Sequence, residues 1–424
     1  MVCSKISKSP LFKNSFWAVA GNGIGNALLL LSGIIIARLL GKDLYGEYGL
    51  VKTTMFYIAS FATFGLGFTS TKYLASYSSS SSEDVDSIAK DSIFITFVFS
   101  GCIAITLLLF ANPISRIIGE AQLSTPLRTL AIIIVLRALS TTQIGILSGL
   151  KEFKESAYNS VFSGLFMLAS CIPLTYYFGL VGSLSSLALS QLFLVVINFI
   201  SIKKIGINLL GSITKSFKKE LIKFSFPVAL QESSFTICHW CAIILLTRYA
   251  SLGDVGIYTA CAQWNSVILM IPSLLTNVVL SHLSSSIKNV SEHKLTFYKV
   301  IAINFTCSFI PFAVVYILAG FISSFYGSSF EEMSSVLRIL TFSTIFESLS
   351  YVLKSELLAQ SKTWWLFCLR FGRDLILVIS VYLLLKNVSS IDGAKLYSIA
   401  VVAVSFLFFI SLFVIYKVKV KLPE

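Results

Sequence analysis

The sequence predicts an all-α, polytopic membrane protein with about twelve transmembrane helices, arranged as two pseudo-symmetric six-helix bundles around a central cavity. Three observations predict this fold: a very apolar composition, many long stretches without charge, and an internal repeat. Hydrophobic residues make up 56% of the 424 residues and charged residues only 12%, whereas soluble domains carry roughly 25% charged residues. Water is therefore not the solvent for most of this chain.

The helices follow in chain order from the apolar segments. A hydrocarbon core about 30 Å thick needs roughly 20 apolar residues per helix. The uncharged or weakly charged segments are 14–37, 53–71, 92–115, 128–150, 156–202, 222–247, 255–287, 300–330, 334–358, 364–385 and 396–416. The segment 156–202 is long enough for two crossings, and its glycines predict a turn at 178–182. The period-2 alternation typical of a membrane β-barrel is absent, so about twelve helices are expected.

The basic residues predict an orientation. Of the 33 basic residues, 20 flank one set of helix ends and 8 flank the other. The positive-inside rule then places both termini in the cytoplasm of a multi-pass protein, for which we expect the bacterial inner membrane. The net charge of +13 is spread over many short membrane-flanking loops, which argues against a nucleic-acid partner.

Several chemistries lack the residues that they require. The eight cysteines are scattered and lie mostly inside apolar segments, so neither a metal site nor a disulfide framework is expected. No GxxxxGK[ST] sequence occurs, and no loop is long enough for a folded extramembrane domain. We therefore predict no cofactor, no catalytic residues and a function located among the helices, with the lipid bilayer as surroundings.

An internal repeat divides the chain into two halves. The pattern R-x7-G-x-Y at Arg38 recurs at Arg248, 210 residues later, and the L-R-x-L pattern at 127 recurs at 337. Both halves then contain six helices that start on the same side, so they are parallel repeats. The predicted domains are an N-terminal bundle at 1–202, a solvated cytoplasmic linker at 203–223 and a C-terminal bundle at 224–424.

Four short motifs carry a family resemblance. The sequences A-R-L-L-G at 37–41, Y-G-E-Y at 45–48, G-L-K-E-F at 149–153 and G-D-V-G-I-Y at 253–258 resemble the polysaccharide flippases of the MOP superfamily, most of all the O-antigen (Wzx-type) flippases. The resemblance implies a transporter, not an enzyme, with a V-shaped cavity that opens alternately to either side. The implied cargo is an undecaprenyl-pyrophosphate-linked oligosaccharide for lipopolysaccharide biosynthesis. Other polysaccharide assembly proteins of the inner membrane are further candidate partners.

Charges inside the predicted spans are the candidate site. A charge near the bilayer centre costs about 2.5–3.5 kcal/mol on insertion scales, so each should face protein or a water-filled cavity. The predicted substrate-binding residues are Lys52, Arg137, Lys354, Arg370, Arg373 and Asn22. The predicted residues for ion coupling or charge pairing are Glu232, Glu347 and Asp374. Trp240, Gln263 and Asn265 are further candidates for sugar contacts.

Spacing predicts which of these charges lie together. Arg370 and Asp374 are four residues apart, with Arg373 beside them, so one ion pair and one spare cation are expected. Glu347 and Lys354 share a helix face, and the repeat sets Glu347 opposite Arg137. In the same way it sets Glu232 opposite Asn22. Glu356 lies near a helix end, where we expect it to extend to the membrane interface.

Other interpretations of these residues stay open. The charges can neutralise one another between helices and only determine packing. A MATE-like cation or drug antiporter would use Glu232 and Glu347 as proton carriers, although cations outnumber anions in the spans. An intramembrane glycosyltransferase or acyltransferase would need Glu347 or His239 as a base, and no paired catalytic motif supports it.

Overall fold

The part of the chain that the structure describes is helical apart from short turns and connections. The computed structural model describes residues 10–77, 82–118, 124–209, 216–286, 290–360, 362–388 and 391–419. Every regular element there is helical, which confirms the predicted all-α class. The chain forms two compact units, one of residues 1–40 and 47–240 and the other of residues 41–46 and 241–424. The predicted domain limits at 202 and 223 stay a prediction.

The first unit contains five helices and most of a sixth. Their bounds are α1 Pro10–Ala62, α2 Leu66–Tyr77, α3 Ser82–Ile118, α4 Ser124–Gly149, α5 Phe153–Lys204 and α6 Lys218–Tyr249. With 53 and 52 residues, α1 and α5 are each more than twice as long as one crossing requires. A glycine with non-helical backbone angles divides each of them, Gly41 in α1 and Gly179 in α5.

Gly179 reverses the chain within α5. Its φ of 56° and ψ of −132° lie where a side chain would be strained. A Cβ atom added to Gly182 would lie 1.8 Å from the carbonyl oxygen of Leu174. Residues eight apart in a continuous helix are about 12 Å apart, so the two halves of α5 must fold back on each other. The turn predicted at 178–182 is confirmed.

The second unit contains the remaining helices. Their bounds are α7 Leu252–Ser286, α8 Val290–Ile317, α9 Ala319–Tyr326, α10 Met333–Ala359, α11 Thr363–Asn387 and α12 Gly393–Lys419, with a 3₁₀ turn at Ser328–Phe330. Among the described residues, 7 helices are long and apolar enough to span a membrane, and two of these are the divided helices α1 and α5. These helices support the multi-pass architecture that the composition predicts.

Helix positions in the two units repeat at the predicted offset. The starts of α5 at Phe153 and α11 at Thr363 are 210 residues apart, and α4 and α10 start at Ser124 and Met333. Helix α4 packs against α2, α3 and α5, and its equivalent α10 packs against α7, α8 and α12. Each unit is thus organised around one central helix, and these two helices carry Arg137 and Glu347.

A short segment of α1 packs with the second unit. We call Gly41–Gly46 the crossover segment, since the chain on both sides of it belongs to the first unit. The buried Tyr45 hydroxyl accepts a hydrogen bond of 2.6 Å from Nε2 of Gln263, and its ring meets the edge of Phe330. Gln263, expected to contact sugar, therefore uses its amide to hold this segment.

The crossover segment meets α7 at two glycines that the repeat makes equivalent. A Cβ atom on Gly46 would lie 1.8 Å from the Leu252 carbonyl oxygen, and one on Gly256 would lie 2.2 Å from that of Lys42. Gly46 and Gly256 are 210 residues apart, and so are Lys42 and Leu252. The contact is therefore reciprocal, and it leaves no room for a side chain on either glycine.

The ends of the linker that precedes α6 are held against the first unit. Ile207 and Phe217 are buried in an apolar cluster with residues of α2, α3 and α4. The backbone amide of Asn208 donates to Asp86, and that of Phe217 donates to Asp91 at 2.7 Å. The expectation of a solvated linker is therefore wrong at these positions. The apolar side chains of Ile207 and Phe217 are buried, and carboxylates of α3 accept hydrogen bonds from the backbone amides of the linker.

Removing the Asp91 carboxylate should destabilise this attachment. Asp91 is fully buried, also accepts from the Ser216 hydroxyl, and lies 3.9 Å from Lys218 Nζ. Asp91→Ala leaves a buried amide without its charged acceptor, which costs roughly 1.5–3 kcal/mol. We expect detergent-purified Asp91→Ala to have a lower thermal unfolding midpoint than the wild-type protein, and the midpoint of Asp91→Asn to lie between those of the other two proteins. Equal midpoints for all three proteins would contradict this role.

Candidate functional site

Arg137 lines a cavity in the first unit. The cavity measures about 310 Å³ and lies between the C-terminal end of α1, helix α2 and helix α4. Phe64 and Gly65 adopt φ angles of 53° and 69°, which end α1 and start α2 beside the cavity. A Cβ atom on Gly145 would lie 2.3 Å from the carbonyl oxygen of Gly67, so two glycines let α2 and α4 approach closely.

The cavity offers one strong hydrogen-bond donor. The Thr71 hydroxyl donates to the carbonyl oxygens of Gly67 and Gly145, and the Thr141 hydroxyl donates to that of Arg137. These hydroxyl protons are used within the protein, which leaves oxygen lone pairs to accept. The guanidinium of Arg137 is therefore the group in this wall that suits an anion.

Arg137 is half-buried and lacks a carboxylate partner in its surroundings. Within the described ranges, no acceptor hydrogen-bonds its guanidinium and no acidic side chain forms an ion pair with it. An unpaired cation among helices is costly unless water or an anion reaches it. Glu347 belongs to the other unit, so the predicted Arg137–Glu347 pairing stays a prediction.

Lys52 lies in the same unit but in a different place. It follows Gly41 in α1, is half-buried, and its Nζ lies 5.9 Å from the centroid of the Tyr48 ring. It is not among the residues that line the Arg137 cavity. The structure therefore does not place these two predicted cations in one pocket.

The second unit brings five of the predicted charges into one cluster. Lys354 lies within electrostatic range of residues on its own helix and on α11, namely Glu347, Arg370, Arg373 and Asp374. Three cations and two carboxylates give this group an excess of one positive charge. Helices α10 and α11 thus form the α10–α11 charge cluster, which sequence spacing predicted only helix by helix.

The ion pair in this cluster differs from the one that helical spacing suggested. Arg373 donates from Nε and Nη2 to Oδ1 of Asp374, at 2.8 and 2.6 Å. Asp374 is buried, so the pair compensates a carboxylate that would otherwise be costly. The i, i+4 spacing had pointed to Arg370, but the adjacent arginine can fold back along the helix to reach the same oxygen.

An aromatic ring on α12 contacts two of the cations. The Phe408 ring centroid lies 5.4 Å from Lys354 Nζ and 4.9 Å from Arg373 Cζ, and Lys354 also lies 4.7 Å from the Tyr351 ring. Cation–π contacts stabilise such groups when they are partly removed from water. Nearby, the Ser405 hydroxyl donates to Glu347 at 3.4 Å.

Other predicted residues fall outside this cluster. The side chains of Asn22 and Glu232 lie outside the described residues. Trp240 Nε1 donates to the Thr54 hydroxyl at 3.2 Å, and Asn265 donates to Ser343 at 3.1 Å. Both candidates for sugar contacts therefore have partners within their own units.

A buried pair in the second unit escaped the sequence analysis. His293 on α8 and Glu356 on α10 are both 0% exposed, and a ring nitrogen of His293 lies 2.9 Å from Oε1 of Glu356. Gln360 donates to the same oxygen. The expectation that Glu356 extends to the interface is wrong, because α8 and α12 cover this end of α10. His293 stands between Glu292 and Lys294 in the sequence, and these charged neighbours give no sign that it is buried.

Comparisons with known proteins agree with this architecture. The family described as polysaccharide biosynthesis protein matches residues 11–282, more than half of the chain. No curated protein gives a significant match to the chain.

Three solved structures share the fold at low sequence identity. An inward-facing multidrug resistance MATE family transporter of the MOP superfamily has a TM-score of 0.82 at 16% identity, covering 95% of this chain and 98% of that one. A MATE in complex with MaD3S has a TM-score of 0.71 at 17% identity, covering 98% and 97%. A MOP superfamily transporter from Pyrococcus furiosus Vc1 (DSM3638) is described as having a binding pocket of reverse polarity. It has a TM-score of 0.70 at 16% identity, covering 98% of this chain and 96% of that one.

The expected family and fold are therefore both found. The chain belongs to the polysaccharide biosynthesis protein family and has the fold of the MOP superfamily transporters.

Proposed function

We propose that the chain is a flippase that moves an undecaprenyl-pyrophosphate-linked oligosaccharide, such as an O-antigen repeat unit, across the bacterial inner membrane. It does so by alternating access, from the cytoplasmic to the periplasmic leaflet, with both termini in the cytoplasm. The membership in a polysaccharide biosynthesis family supports a cargo built from sugars. The observation that carries the proposal is the Arg137 guanidinium, which lines a cavity without a carboxylate partner in the described residues.

The chemistry of the cargo fits the charges. Its pyrophosphate is anionic and needs charge-assisted donors, while its polyprenyl tail can stay in lipid. A cavity of about 310 Å³ is too small for an oligosaccharide but suits a compact anionic group. Arg137 is therefore assigned to the pyrophosphate, and the sugars are assigned to wider space outside this cavity.

The second unit supplies further positive charge. Lys354, Arg370 and Arg373 outnumber the two carboxylates of the α10–α11 charge cluster. We assign Lys354 and Arg370 to an anion because the cluster as a whole carries an excess of one positive charge. The Nζ of Lys354 lies over the rings of Tyr351 and Phe408, which stabilise its charge without cancelling it.

The alternative MATE-like antiporter would require a negative site for a cationic drug. Among the described residues of the second unit, Asp374 is paired with an arginine and Glu347 lies in the net positive cluster. Such surroundings repel a cationic ligand. The charge distribution thus favours an anionic cargo, and the drug antiporter becomes an outcome of the experiment.

Loss of the protein from its host tests the proposal directly. We expect lipid-linked oligosaccharide to accumulate in the inner membrane and the exported polymer to disappear, with both restored by the reintroduced gene. Resistance to cationic dyes and drugs is measured in the same cells as a control. Normal polymer export, together with increased sensitivity to cationic drugs, would instead identify an antiporter.

A further inference from the structure

Two phenylalanine rings belong to the wall of the Arg137 cavity and are largely uncovered by protein. Phe56 on α1 and Phe68 on α2 both line the cavity, and they are 54% and 70% exposed. Most of the surface of each ring therefore faces away from the rest of the first unit. The rings lie at the mouth of the cavity rather than in its interior.

Both rings share their helix faces with polar side chains. On α1, Lys52 precedes Phe56 by four residues and Ser60 follows it by four, so the three lie on one face. On α2, the exposed Lys72 follows Phe68 by four residues. A lysine within a span faces protein or water rather than hydrocarbon. The space beside these rings is therefore suited to a polar ligand rather than to lipid alone.

Hydroxyl groups line the cavity beside the rings, on Ser60, Thr63, Thr71, Thr141 and Ser148. The three threonines donate their hydroxyl protons to backbone carbonyl oxygens, so their lone pairs remain to accept. The two serine hydroxyls form no hydrogen bond within the described part of the chain, so each can donate and accept. The wall thus offers donors and acceptors next to aromatic surface.

This combination of groups suits a sugar ring. The C–H groups on one face of a pyranose pack on the negative face of an aromatic ring, and its hydroxyls hydrogen-bond to polar groups at the edge. A lipid chain would use the phenyl rings but not the hydroxyls. A phosphate would use the Arg137 guanidinium but not the phenyl rings.

The fold itself does not require aromatic residues here. The repeat offset of 210 residues sets Ser266 against Phe56 and Val278 against Phe68. The equivalent helix α7 of the second unit is therefore built without a ring at either position. Packing of the repeated helices leaves the two exposed rings unexplained, which calls for a role in binding.

We propose that Phe56 and Phe68 form a sugar subsite at the mouth of the Arg137 cavity, which binds the first sugar of the lipid-linked oligosaccharide. This inference rests on the proposed flippase function. In that cargo the first sugar is joined directly to the pyrophosphate, so an anion held by Arg137 places the sugar beside the rings. The anion then occupies the cavity of about 310 Å³, and the sugar lies outside it.

Binding to the detergent-purified protein tests the subsite with defined compounds. These are inorganic pyrophosphate, farnesyl diphosphate, and farnesyl diphosphate carrying a single hexose or N-acetylhexosamine on its terminal phosphate. We expect the wild type to bind at least one sugar-bearing compound about 3- to 10-fold more tightly than farnesyl diphosphate. Phe68→Leu keeps an apolar side chain without a ring, and should lose this preference while it binds farnesyl diphosphate as the wild type does. Phe68→Tyr should keep the preference.

Phe97→Leu is the matched control, because Phe97 on α3 is 57% exposed and does not line the cavity. Absence of the preference from the wild type, or its survival in Phe68→Leu, would overturn the subsite. An equal loss of affinity for both farnesyl compounds in Phe68→Leu would also overturn it, since the ring would then contact the isoprenoid chain. If Arg137→Met binds pyrophosphate as tightly as the wild type, the pyrophosphate assignment of the proposed function fails, and the subsite fails with it.

Discussion

Gly256→Leu should prevent accumulation of folded protein in the membrane, whereas Gly101→Leu should not. A Cβ atom on Gly256 would lie 2.2 Å from the Lys42 carbonyl oxygen and 3.0 Å from the Gly46 amide nitrogen. Both neighbours are backbone atoms, which cannot rotate away as a side chain can. Overpacking commonly costs about 1–3 kcal/mol, and displacing two backbones should exceed that range. Gly101 on α3 has no atom within 4 Å of such a Cβ, so it is the matched control.

The comparison is made on protein carrying a fluorescent tag. Membrane content, the elution profile in detergent and the thermal unfolding midpoint are measured for both variants, and for Gly46→Leu on the other side of the contact. We expect the two contact variants to behave alike, since the contact is reciprocal. Wild-type behaviour of Gly256→Leu would show that the crossover segment does not need to pack closely on α7.

This contact shows what a repeat can and cannot reveal in a sequence. The offset of 210 residues already matched Gly46 with Gly256, because both occur in the same R-x7-G-x-Y pattern. The repeat offset shows only that two residues occupy equivalent positions in the two halves of the sequence. It does not show that the two positions touch, and only the structure reveals that contact.

The turn within α5 could be predicted because its causes are local. Two nearby glycines, Gly179 and Gly182, permit the backbone angles and the close approach that a reversal needs, and the uncharged segment is too long for one crossing. Glu356 was misplaced because its surroundings are not local. Depth inferred from distance to a helix end ignores the neighbouring helices that cover that end.

The charge pairs show a similar limit. Helical spacing predicted an arginine partner for Asp374 on the same helix, but the pairing with Arg373 depends on side-chain conformation. Asp91 was missed for another reason. It stands just before the predicted span 92–115, where a charge is usually solvated, and only the structure shows that it accepts a hydrogen bond from the Phe217 amide.

Arg137→Met should lower transport and raise thermal stability at the same time. Loss of a charge-assisted contact with the cargo costs roughly 1.5–3 kcal/mol, which corresponds to about a 10- to 100-fold loss of transport. An unpaired cation is unfavourable in the cargo-free protein, so an apolar side chain of similar length should stabilise it. Arg137→Lys keeps the charge but loses the two-pronged geometry, and we expect intermediate transport. Arg128→Met, an exposed arginine near the start of the same helix, should leave both quantities unchanged.

The same measurement distinguishes a cargo site from the Arg137–Glu347 ion pair that the repeat suggests. If the two residues neutralise each other, removing the arginine leaves the Glu347 carboxylate without its partner. This loss should destabilise the protein by about 3–5 kcal/mol. Glu347→Gln added to Arg137→Met would then restore the unfolding midpoint. In a cargo site the single variant is already at least as stable as wild type, and the second substitution brings no recovery of transport. A destabilised Arg137→Met that the double variant rescues in both stability and transport would therefore remove Arg137 from the pyrophosphate site.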